Sequence, residues 1–71
     1  MFVAMKAEEA GRLIRKRRMS LRIDQRTLSE IAGISVHTLS NIEAGKSNPT
    51  VAILERVLNA LGMELRIQIK E

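Results

Sequence analysis

The chain has no cysteine, no tryptophan and no tyrosine, and a single phenylalanine, Phe2. Without cysteine no disulfide framework can staple a small fold. With one histidine besides, a structural zinc site lacks its ligands, so no metal is expected. Single-stranded nucleic acid and RNA loops are held on several stacked aromatic side chains, and a chain with one aromatic residue is poorly equipped for that mode. The four glycines are scattered singly, so no glycine-rich loop is available to cradle a nucleotide, and no cofactor is expected. Carboxylates are dispersed among cations, and no nucleophile–base pairing stands out, so no catalytic site is expected. No apolar run approaches the roughly 20 residues of a membrane span, and no signal-peptide core is visible. These absences leave a soluble, cytoplasmic, non-enzymatic protein.

What remains is 71 residues, 45% of them hydrophobic, with 12 Lys and Arg against 8 Asp and Glu. That length permits one domain, in which only about 60% of the unfolded surface is buried. The core must be aliphatic, and dimerisation is the common stabilising device still open. A net charge of +4 and a pI near 10.4 suit a phosphate-backbone partner.

The most informative stretch runs from Asp24 to Gly45. Asp24 can cap a helix that begins at Gln25. Leu28, Ile31 and Ala32 are spaced for one buried helical face. Ser29 is small enough for a close helix crossing, and Gly33 suits a sharp left-handed ending. Ile34 fills the corner, Ser35 caps a second helix, Leu39 and Ile42 point inward, and Gly45 ends it. Val36, His37, Ser40 and Asn41 then face away from the core. Two short helices joined by a tight turn, with a polar outer face on the second, make a helix-turn-helix for the DNA major groove.

Around this unit, Lys6 to about Met19 reads as a first helix with Ala10, Leu13 and Ile14 along its stripe. Its basic run, Arg15 to Arg18, is either a solvated face suited to the helix dipole or a contact surface. Lys46-Ser47-Asn48-Pro49 is a polar loop, Thr50 an N-cap, and Val51 to Leu61 a helix presenting Leu54, Val57, Leu58 and Leu61. Gly62 ends that helix. Met63 to Lys70 then alternates apolar and polar residues, a strand pattern with no second strand to pair with. Pairing with the same strand of another copy would bury Met63, Leu65, Ile67 and Ile69 of both chains; a frayed tail is the alternative. The expectation is therefore an all-α domain of four to five helices over residues 6–62, followed by a dimerisation strand over 63–70.

The early Gln25, small Ser29, turn Gly33 and closing IEAGKSNPT resemble the lambda-repressor-like, Xre/Cro type of DNA-binding domain. The ending LNALGMELRIQIK resembles that of the HipB-type antitoxins, whose dimers form through such terminal strands. The resemblance implies a buried ion pair between Arg18 and Glu43, and a phosphate contact for Gln25. It implies a turn glycine where Arg22 stands, so some backbone strain is expected there. Ser35 is implied as both cap and DNA contact. Val36, where the family often has Gln, can only touch a thymine methyl or tolerate any base. His37 and Asn41 are the better base readers, Thr38 and Ser40 reach bases or backbone, and Lys46 and Asn48 meet phosphates. The implied function is a homodimeric repressor of a palindromic double-stranded operator, serving as antitoxin to a HipA-like kinase. Two alternatives stay open: a stand-alone repressor of a prophage or mobile element, and a protein-binding module that has lost DNA contact.

Overall fold

A computed structural model describes residues 6–66. Over that span the chain forms four helices: α1 (Ala7–Ser20), α2 (Gln25–Ala32), α3 (Val36–Glu43) and α4 (Val51–Ala60). Local chemistry sets their boundaries. Asp24 accepts the Thr27 N–H at 2.7 Å, Ser35 the Thr38 N–H at 3.0 Å, and Thr50 the Ile53 N–H at 3.2 Å. Each side chain satisfies one of the donors that a helix start leaves orphaned. Gly33 closes α2 at φ 73°, a conformation that costs an L-residue about 1–2 kcal/mol. Arg22, in the turn between α1 and α2, takes φ 58° and bears that cost without glycine's freedom.

The helices converge on Ile14, Leu28, Leu39, Ile42, Val57 and Leu61, all fully buried. Each such aliphatic side chain contributes about 1.5–3 kcal/mol by leaving water. α1 packs on α3, and α2 packs on both α3 and α4. Ile23, Ile34, Ile53, Leu54 and Met63 close the margins of this core.

Gly11 lets α1 and α3 meet. A Cβ at that position would run into the Ile42 carbonyl oxygen and lie 3.1 Å from that of Glu43. Glycine inside a helix costs roughly 1 kcal/mol relative to alanine. Here it allows the backbone of α1 to pass directly over the last turn of α3.

Two expectations are corrected, and a third finds no support within the described residues. Ile31 is 61% exposed, while the buried arc of α2 is Leu28, Ser29 and Ala32. At about 100° per residue that arc centres between Leu28 and Ser29, and Ile31 falls on its far flank. Leu13 is 38% exposed for the same reason, because α1 faces inward through Gly11 and Ile14. Met63 to Arg66 form no strand, and no strand occurs among the described residues. A strand needs a second edge, and the described helices offer none. Ile67 and Ile69 lie outside the described residues.

Candidate nucleic-acid interface

The first turn of α3 is fixed by a reciprocal clasp. The Ser35 hydroxyl accepts the Thr38 N–H and donates to Thr38 Oγ1 at 2.8 Å. Thr38 is thereby held half-buried against the turn, and its own hydroxyl donates to no group among the described residues. One side of α3 carries Leu39, Ile42 and Glu43, all buried. The opposite side carries His37, Asn41 and Ala44, with Ser40 on its flank and Val36 partly exposed at the start. The outward side is thus compact and mainly polar, with Val36 as an apolar group at its start.

His37 and Asn41 stand one turn apart and touch, Asn41 Nδ2 lying 3.2 Å from His37 Nε2. In this orientation the amide nitrogen can only donate, so Nε2 is the accepting nitrogen of the pair. Asn41 keeps its Oδ1 and its second amide hydrogen. Those are the two groups an asparagine uses against an adenine edge.

The base of α3 is anchored by Arg18. Its Nε donates to Glu43 Oε2 at 2.8 Å and its Nη2 to Oε1 at 2.9 Å, a bidentate pair. Nη1 donates to the Ile23 carbonyl at 2.9 Å, which ties in the loop before α2. These side chains are 12% and 3% exposed, so the charges are largely withdrawn from water. Its hydrogen bonds to the Glu43 carboxylate hold the Arg18 guanidinium still more firmly protonated than usual, although burial works against this. Gln25 joins the cluster, its Nε2 donating to Glu43 Oε1 at 3.2 Å. The amide at the start of α2 is therefore oriented by the carboxylate that ends α3.

Above this cluster lies an open cleft lined by Arg15, Arg18, Gln25, Ser40, Glu43 and Ala44. It joins the start of α2 to the outward side of α3. The loop after α3 presents Lys46 and Asn48, both exposed, while the Lys46 backbone N–H satisfies the Asn41 carbonyl at 2.9 Å.

Sequence reasoning missed several of these features. Gly11 carried a signal, since an interior helix glycine is costly and marks a close approach. Arg17 carried none: its Nε donates to the Leu61 carbonyl at 3.1 Å and ties the end of α1 to the end of α4. There a cation also meets the negative end of the helix dipole. The Gln25–Glu43 bond likewise arises only when two distant segments are folded together.

A helix-turn-helix family model matches residues 14–68. An uncharacterized HTH-type transcriptional regulator of Methanothermobacter thermautotrophicus is 35% identical over 52 residues, 73% of this chain and 75% of the relative. Among solved structures, the clp gene regulator ClgR from Corynebacterium glutamicum superposes with a TM-score of 0.80 at 28% identity. That match covers 86% of this chain, which spans 65% of the ClgR chain. The family match covers well over half of the sequence, and the four helices, capped and turned as described, are arranged as in a solved regulator. The chain belongs to the helix-turn-helix family of the Xre/Cro type, whose members are DNA-binding transcription regulators.

Proposed function

We propose that the chain is a homodimeric, sequence-specific transcriptional repressor. Each protomer lays the outward side of α3 in the major groove, and the two half-sites of a palindromic operator are about 34 Å apart. The observation that carries this reading is the segregation of α3. Its inner side is spent on Leu39, Ile42 and Glu43, leaving His37 and Asn41 outward with unused hydrogen-bonding groups.

In this reading Asn41 makes the bidentate adenine contact, its orientation steadied by His37. The His37 Nδ1–H donates to a guanine or thymine acceptor, and Val36 meets a thymine methyl. Gln25, Ser35, Lys46 and Asn48 take phosphates, with Ser35 also offering the open N–H groups of a helix start. Thr38 and Ser40, both half-buried, contribute to the backbone more than to bases. Met63, Leu65, Ile67 and Ile69 pair with their counterparts in a second copy. Leu65, 39% exposed, gains burial in such a pairing. Losing the tail removes the avidity of two linked half-sites.

Within the repressor class, the antitoxin role rests on the likeness of the tail to HipB-type proteins. The partner would be a HipA-like kinase, and the operator would lie in the pair's shared promoter. The protein would act in the cytoplasm, and no helix among the described residues is long and apolar enough to cross a membrane. The test is recovery of the tagged chain from its native lysate, with bound proteins identified and bound DNA sequenced. A kinase together with the chain's own upstream DNA supports the antitoxin role. DNA alone leaves a stand-alone repressor. Neither DNA nor kinase, with another protein enriched, overturns the DNA reading in favour of a protein-binding module.

A further inference from the structure

We propose that Arg15 grips a DNA backbone phosphate, so that α1, outside the helix-turn-helix itself, contributes to the interface. The inference rests on the DNA reading above and extends it to a residue that reading leaves idle. Arg15 and Arg18 lie one turn apart on α1 and line the same cleft, together with Gln25 and Ser40. Their charges are in different states. The Arg18 charge is met by Glu43 in a bidentate pair, so the floor of the cleft is close to neutral. Arg15 is exposed at the rim and makes no ion pair or side-chain hydrogen bond among the described residues. The cleft therefore has one uncompensated charge, and it is positive.

The surrounding groups suit the same ligand. One Gln25 amide hydrogen is committed to Glu43 at 3.2 Å, which leaves the second free. The Ser40 hydroxyl is uncommitted among the described residues and sits on the flank of α3 beside the outward face of Asn41 and Ala44. When α3 enters the groove, its flanks face the sugar–phosphate strands that border it. A phosphate beside this flank meets a guanidinium, an amide N–H and a hydroxyl at once. Arginine is the cation best matched to the planar, forked recognition of phosphate oxygens.

Arg12 and Lys16 supply the internal comparison. They are exposed on the same helix and share a surface with Arg15 and Met19, yet neither lines the cleft. If phosphate is held by the cleft rather than by the diffuse field of α1, only Arg15 matters strongly.

The experiment measures binding of the full chain to a mixed-sequence duplex by fluorescence anisotropy over a series of salt concentrations. The unsubstituted protein is compared with Arg15→Gln, Arg15→Lys and Arg12→Gln, and each variant's helical circular dichroism confirms that it is folded. One phosphate contact contributes a slope of about −0.9 in log affinity against log salt. Arg15→Gln should shrink the slope by about that amount per protomer, so a fourfold rise in salt weakens its binding about 3.5-fold less per protomer. Arg15→Lys should restore the slope, and Arg12→Gln should leave it unchanged. An unchanged slope in Arg15→Gln overturns the proposal, as does an equal loss in Arg12→Gln and Arg15→Gln. Absence of salt-dependent duplex binding by the unsubstituted protein overturns the DNA reading itself and this proposal with it.

Discussion

Replacing Glu43 with leucine should be among the most damaging single changes the domain can suffer, although no apolar contact is lost. The carboxylate is 3% exposed and accepts three hydrogen bonds, two from Arg18 and one from Gln25. Removing it leaves Arg18, itself only 12% exposed, with the Ile23 carbonyl as its remaining hydrogen-bond partner among the described residues. A buried charge deprived of its counterion costs about 3–5 kcal/mol. A natural domain has about 5–15 kcal/mol in total, and one this small belongs at the lower end. The variant should therefore melt more than about 10 °C lower, at 4–8 °C per kcal/mol for this size. Thermal and urea unfolding followed by helical circular dichroism would read the change directly. The decisive comparison is the double variant Arg18→Met/Glu43→Leu, in which neither charge remains to be desolvated. It should recover most of the loss, because an apolar pair of similar volume commonly matches or exceeds a buried ion pair. A Glu43→Leu loss below about 1 kcal/mol would mean that water reaches Arg18, and the burial argument would fail. A double variant as unstable as the sum of the singles would refute the coupling.

Other outcomes follow from the same geometry. Gly11→Ala should destabilise by about 1–3 kcal/mol or more in urea unfolding, as an overpacked helix crossing does, despite alanine's better helix propensity; a neutral result would mean that the crossing is looser than described. The Asp24 carboxyl is held below its ordinary value of 3.8, chiefly by the Thr27 backbone N–H. Its folded pKa is the lower one, so its contribution is complete above about pH 4 and fades as pH falls from there through the depressed folded value. Asp24→Asn keeps the cap without the charge, and its stability should decline less steeply below about pH 4; parallel profiles would remove Asp24 as a cause of acid sensitivity. Asn41→Ala should change stability by no more than about 0.5 kcal/mol, yet cost about 1–3 kcal/mol of discrimination at one operator base pair. Equal loss on all duplexes would argue that Asn41 reads no base.

The parts of this fold legible in sequence are those whose causes are local. Asp24, Ser35 and Thr50 announce helix starts because a cap needs only a short polar side chain and an N–H three residues on. Gly33, Gly45 and Gly62 mark the left-handed endings for an equally local reason. Ile31 and Leu13 defeated the same method because periodicity fixes the spacing of an apolar stripe and not which edge of it meets the core. That choice is made by Gly11, which brings α1 down onto the last turn of α3, and by buried Ser29. Both are tertiary facts. Family resemblance pairs Arg18 with Glu43; their types and separation alone do not. Arg17 on the Leu61 carbonyl had no sequence signal of any kind. The alternation of the tail produces no strand over Met63 to Arg66, since a strand exists only with a partner edge.

The division of α3 into two sides also explains how so short a helix can be both structural and informative. Eight residues make barely two turns, far too few to be stable alone. The helix is held from three directions instead: Leu39 and Ile42 in the core, the Ser35 cap at its start, and the Arg18–Glu43–Gln25 cluster at its end. None of these uses His37 or Asn41. In the proposed complex, stability and base reading draw on different residues of one element, so substitutions at positions 37 and 41 should alter the preferred operator without endangering the fold. The cluster at the end of α3 does more than hold it. Because Glu43 also orients Gln25, any shift of α3 is transmitted to the start of α2 through Oε1. In the proposed DNA complex, α3 and the amide assigned to phosphate would therefore move as one body, with the register of α3 in the groove set by where the backbone is gripped.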